Sequence, residues 1–176
     1  MSYTEMLKVR SGGLDTIKKF PNAHGAAPAI WGYVCQKYMG DKYWWLHNPD
    51  NPKFWGLARD ENIPTDERVA LIFTFDQVIV RHENFKRVGD ALRTFSKKCD
   101  DWTHLPAIAD ELYKLENDQS AIGCCWVQTS VSSYVWTRYD ECDKCGQQLE
   151  DGERMFDIGR DNDYFFLFDE YPELLK

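Results

Sequence analysis

The stretch AIGCCWVQTSV, residues 121–131, marks where the chain changes character. It is rich in β-branched and aromatic residues and reads as a strand. The same composition returns in SYVWTRY (133–139), ERMFDI (153–158) and YFFLFD (164–169), the last two separated by GRDND and read as a hairpin. Most of what precedes Asp118 has helical period. Helices first and strands afterwards predict an α+β class. On this reading, 1–176 is a single domain. A helical N-terminal two-thirds of about four helices (1–118) packs with a C-terminal antiparallel β-subdomain of three to four strands (119–176).

Working back towards the N-terminus, TEMLKVR (4–10) alternates well enough for an opening strand, closed by Ser11, Gly12 and Gly13. Over 29–39, Ile30, Trp31, Val34, Cys35 and Tyr38 fall on one helical face, and Gly40 follows as a stop. A loop with two prolines leads to a short helix near 53–59. Thr65 is positioned to cap a helix with Asp66 and Glu67 in its first turn. Its apolar positions Val69, Ala70, Leu71, Ile72, Phe73 and Phe75 go almost all the way round, so it is predicted to be central and buried. Val78, Ile79 and Val80 extend that helix or form a brief strand. Phe85, Val88, Leu92 and Phe95 predict a helix over 83–97. Leu105, Ile108, Leu112 and Leu115 predict another over 106–116, capped by Thr103.

At 176 residues the chain can hide roughly two-thirds of its unfolded surface, and seven tryptophans help fill a core. The apolar runs at 69–73 and 164–168 are far shorter than the about 20 residues a bilayer requires. The first residues carry no basic region followed by an apolar one, and six cysteines are too dilute for a disulfide scaffold. The expectation is a cytoplasmic protein that enters no membrane. The formal charge of −8 is unevenly placed: residues 100–176 alone sum to −12. Such a region repels phosphate backbones and attracts basic partners. A solvated acidic face is the plainer reading.

Inside that region lies CDKCGQQLEDGE, residues 142–153. Two thiols in a tight turn can share one tetrahedral zinc ion, and Gly146 eases the backbone after the second. The segment resembles the first zinc knuckle of zinc-ribbon and treble-clef modules, which implies a zinc ion on Cys142 and Cys145. The resemblance covers about 20 residues and departs from the pattern downstream, where 146–176 holds neither Cys nor His. The nearby thiols are Cys124 and Cys125. If they lie on a strand they face opposite ways, so one of them, Cys125, is the candidate third ligand. His104, Asp140 or water would be the fourth. A bare turn with thiols is the simpler account. Redox chemistry is disfavoured, because Asp140, Glu141 and Asp143 oppose a thiolate and only Lys144 supports one.

The chain has no phosphate-binding glycine loop, no G-x-S-x-G and no H-E-x-x-H. His24 sits before a helix, and His47 follows the Trp44–Trp45 pair, which could stack on a base. Cys35 reads as a small buried hydrophobe. Arg81, Lys86, Arg87, Arg93, Lys97 and Lys98 could touch phosphate but are interleaved with Glu83 and Asp90.

The expectation that follows is a non-enzymatic interaction or inhibitor module. Its acidic, aromatic-rich part would dock a basic surface of a larger, nucleic-acid-handling complex. Asp140, Glu141, Asp143, Glu150, Asp151, Glu153, Asp157, Asp161 and Asp163 supply charge, and Tyr139, Phe156 and Tyr164 supply anchors. In charge strategy it is similar to phage-encoded inhibitors of host nucleases and defence complexes, by analogy of class alone. The alternatives are a zinc-supported nucleic-acid-binding protein and a small enzyme with a His or Cys site.

Overall fold

The computed structural model describes residues 3–11, 13–21, 26–41, 52–74, 78–99, 104–129 and 165–175. Strand β1 (Tyr3–Arg10) pairs antiparallel with β2 (Gly13–Pro21), so the chain opens with a hairpin. Helices α1 (Ala26–Met39), α2 (Pro52–Gly56) and α3 (Thr65–Phe73) follow. Then come β3 (Val78–Arg81), α4 (Phe85–Ser96), α5 (Leu105–Leu115) and β4 (Gly123–Thr129). The described residues end with β5 (Phe165–Phe166), α6 (Leu167–Glu170) and a tight turn of helix at Pro172–Leu175. Among them, no helix is long and apolar enough to cross a membrane.

The five described strands form one sheet in the order β2-β1-β4-β3-β5. β4 runs antiparallel to β1 on one side and to β3 on the other, while β5 lies parallel to β3. This overturns the expected division into a helical N-terminal two-thirds and a C-terminal antiparallel β-subdomain. Strands come first, helices follow, and the late strand β4 inserts between β1 and β3. The physical reason lies in β1. Met6 faces one way and Leu7 and Val9 the other, and all three are buried, so β1 is an interior strand that needs a neighbour on each edge. In residues 13–21, Asp15, Thr16, Lys18 and Lys19 make the sequence too polar to suggest a strand. That polarity suits the edge position β2 holds.

A second correction concerns YFFLFD. Two of its residues form β5, parallel to β3, and the chain then turns helical from Leu167. The expected hairpin partner, 153–158, lies outside the described residues, as does the expected strand at 133–139.

The helices follow their periodicity closely. Phe85, Val88, Leu92 and Phe95 of α4 are buried, as are Leu105, Ile108 and Leu112 of α5. In α3 every residue from Glu67 to Phe73 is buried. Pro106 sits in the first turn of α5, where its missing N–H costs nothing. Gly40 ends α1 with φ at +75°, a conformation that a side chain would strain. These helices, with Met6, Phe20, Val78, Val80 and Cys124 from the sheet, build one continuous core on one sheet face. On the other face Leu7, Val9, Ile79 and Cys125 form a small second cluster, flanked by Leu14 and Phe166. Gly123 permits that packing: a Cβ there would sit 2.9 Å from Ile79 Cγ2 and 3.0 Å from the Val80 carbonyl oxygen.

Candidate functional site

The pleat of β4 separates its two cysteines. Cys124 lies opposite Val80 in the helix-side core, and Cys125 lies opposite Leu7 and Ile79 on the second face. Burial pushes the Cys125 thiol up to about 12. Burial, with Cys125 beside it, lifts the Cys124 thiol well above its ordinary value. A metal at Cys125 would have to displace a firmly held proton from an apolar cluster. His104 immediately precedes α5, with its ring 5.2 Å from that of Phe20, which belongs to the helix-side core. The fold therefore does not bring His104 and Cys125 together. Among the described residues, no three His, Cys, Asp or Glu side chains form a group that could hold a metal ion.

Five members of the basic run beginning at Arg81 are held by acceptors of the same chain. Arg81 donates to Asp169 at 2.6 Å while its guanidinium lies 3.6 Å over the Phe166 ring. Lys86 donates to Asp90 at 2.6 Å, and Arg87 to the Leu174 carbonyl at 2.8 Å. Arg93 pairs with Asp110. Lys98 reaches Asp66 at 2.7 Å and Glu67 at 2.8 Å. Charges neutralised this closely release few counterions on meeting a phosphate strand.

Glu67 is the hub of the helical layer. Its side chain is wholly buried, yet Tyr38 donates to Oε2 at 2.6 Å, and Lys98 and Lys37 donate to Oε1 at 2.8 and 2.9 Å. Burial pushes its carboxyl up, but the bonds from Lys98, Tyr38 and Lys37 outweigh that and leave it below the usual carboxylate range. The same cluster raises Lys37, chiefly through its bonds to Tyr38 and Glu67.

Arg68, the next residue, is in the opposite state. It is 6 % exposed, its Nη2 donates to Thr65 Oγ1 at 3.3 Å, and its Nε and Nη1 find no acceptor among the described residues. Glu5 is 1 % exposed, accepts from the Thr16 hydroxyl through Oε1, and leaves Oε2 buried without a donor among the described residues. Sequence reasoning misses all three of these residues. The signal they carry is a charged residue inside an otherwise apolar run, DERVALIF for the first two and TEMLKV for Glu5.

Tyr139, Asp140, Glu141, Cys142, Asp143, Cys145, Glu150, Asp151, Glu153, Phe156, Asp157, Asp161, Asp163 and Tyr164 lie outside the described residues, as do His24, His47, Trp44 and Trp45. Cys35 is buried in the main core, as its place on a helix face suggests. The ends of the acidic stretch are defined, however. β4 runs towards the end of the sheet where β3 begins, since Cys124 pairs with Val80 and Cys125 with Ile79. β5 starts beside Val78 at that same end. The end of β4 at Thr129 and the start of β5 at Phe165 thus lie towards the same end of the sheet, on strands that flank β3 about 10 Å apart. Compared with family models, curated proteins and solved structures, the chain matches none.

Proposed function

We propose that the chain is a non-enzymatic interaction or inhibitor module. Its acidic stretch, which the chain carries between β4 and β5, docks a basic surface on a larger, nucleic-acid-handling protein complex. The observation that carries this reading is the contrast in charge. Residues 130–164 hold nine acidic side chains against four basic ones, whereas Arg81, Lys86, Arg87, Arg93 and Lys98 are engaged by acids and a carbonyl of their own chain. A segment returned to the sheet at both ends also loses less chain entropy on binding than a free tail of the same length. Asp140, Glu141, Asp143, Glu150, Asp151, Glu153, Asp157, Asp161 and Asp163 would steer the encounter, with Tyr139, Phe156 and Tyr164 as aromatic anchors.

The test is affinity capture from a lysate at low and high salt, with and without nuclease. It compares the protein with a variant carrying Asn or Gln at those nine acids. A discrete basic protein complex, retained after nuclease, weakened by salt and lost with the variant, is expected. Recovery of nucleic acid alone, or equal capture by the variant, would sink the proposal.

A further inference from the structure

We propose that the edge of β3, with Arg59, Arg81 and Arg87 around it, is a docking surface for the C-terminal segment of a second copy of this chain. In the single chain residues 165–175 fill that surface, and their contacts define what it recognises. Arg81 ends β3, lies 3.6 Å over the Phe166 ring and donates to Asp169 at 2.6 Å. Arg59 follows α2, lies 4.2 Å over the Tyr171 ring, and donates to Glu170 at 2.8 Å and to Glu173 at 3.4 Å. Arg87, in α4, lies 5.7 Å from the centre of the Phe168 ring and donates to the Leu174 carbonyl at 2.8 Å. Three arginines from separate parts of the fold thus each combine a ring with an oxygen acceptor. Leu167, Phe168 and Leu174 are buried between them. The recognised unit is an aromatic, acidic segment, anchored by apolar side chains and oriented by Asp169, Glu170 and Glu173.

Two observations make the donor of that segment exchangeable. Its backbone joins the sheet through β5 alone, which is two residues long and the one parallel pairing among the described strands. Residues 130–164 connect it to β4 across strands about 10 Å apart, yet a chain of that length reaches on the order of 100 Å when extended. The connection therefore does not dictate whose surface the segment fills. Exchange between two copies keeps every contact, Glu83 beside Arg81 included, and is a low-cost route to a dimer. The tether favours the single-chain form in dilute solution, and the dimer grows with concentration. None of these acids belongs to the nine of the docking proposal, so either proposal can fail without the other.

The experiment uses two full-length variants, Arg81→Asp and Asp169→Arg, each of which sets like charges face to face within one chain. The two side chains are 39 % and 57 % exposed, so both variants are expected to fold. Refolded together, the two variants meet opposite charges at both surfaces only by exchanging segments. A 1:1 heterodimer is expected by light scattering, about tenfold more abundant than the dimer of either variant alone at the same concentration. The double variant Arg81→Asp/Asp169→Arg restores the pair within one chain and is expected to stay monomeric there. A mixture that stays monomeric, or dimers equally abundant in either variant alone or in the double variant, would overturn the proposal. The native protein gives a second reading that needs no variant. Copies carrying two different tags, refolded and held together at about 1 mM, are expected to co-purify, and their failure to do so would overturn it as well.

Discussion

The two faces of the sheet solve the burial problem differently. On the helix side, residues from six helices and four strands interlock among the described residues. There the wholly buried carboxylate of Glu67 takes hydrogen bonds from two lysines and two tyrosines. On the second face, four buried side chains cluster around β4, and the buried carboxylate beside them, Glu5, has one oxygen without a donor among the described residues. The lesson is that burial alone does not rank a charged residue. Its importance depends on how many donors its neighbours can bring, and helices crossing over a sheet bring more than the sheet does by itself.

The sharpest way to test that contrast is to remove matched side chains from each face. Leu92→Ala, in the centre of α4, is expected to cost about 3–5 kcal/mol in chemical denaturation, and Leu7→Ala about 2–3 kcal/mol. Equal losses would mean that the second face is packed as densely as the first. Glu67→Ala comes next, at about 2–4 kcal/mol. The lower end is favoured because Lys37 is 42 % exposed and can turn to water.

Glu67 also predicts a pH dependence. Its folded pKa is depressed, so its contribution is fully present above the ordinary carboxylate range and is lost as pH falls through the lower folded value. A melting temperature followed from pH 7 downward should therefore fall less steeply below about pH 4.5 in Glu67→Ala than in the native protein. Parallel curves would remove Glu67 from the account.

Gly123→Ala follows in size. Its Cβ meets Ile79 and the Val80 carbonyl too closely, and a loss of about 1–3 kcal/mol is expected, read most directly from the denaturation midpoint. Glu5→Gln is the smallest. Replacing a carboxylate whose Oε2 lacks a donor among the described residues by a neutral amide should shift stability by less than about 1 kcal/mol, towards greater stability. A loss as large as that of Glu67→Ala would show that the two carboxylates are equivalent after all.

How much of this is legible in the sequence depends on whether a residue's partners are local. The stripe Phe85, Val88, Leu92, Phe95 and the near-continuous burial of α3 are consequences of helical period, and the residue pattern alone announces both. The opposed directions of Cys124 and Cys125 are equally local, since they follow from the two-residue repeat of a strand. The sheet order is not legible, because nothing near Tyr3 announces that its partner is Thr129. β5 misleads because the aromatic residues of YFFLFD suit a strand throughout, while Leu167 and Phe168 are instead drawn into the helix-side core. The Glu67 hub assembles from α1, α3 and the end of α4, and no local motif encodes such a meeting.

The pairing of β1 with β4 has a consequence for how the protein is made. On the ribosome, β1 and β2 emerge at once, but the strand that closes the inner edge of β1 is not complete until Thr129. At about 5–20 residues per second, this leaves the edge waiting for ~6–25 s. Throughout that interval a nascent hairpin offers open backbone donors and acceptors to any neighbouring chain, a recognised route to aggregation. Pairing Tyr3 with Thr129 is also highly non-local, so this step should slow refolding relative to a fold built from local contacts. Yield in expression would then depend more on how fast residues 78–129 arrive than on how stable the finished fold is.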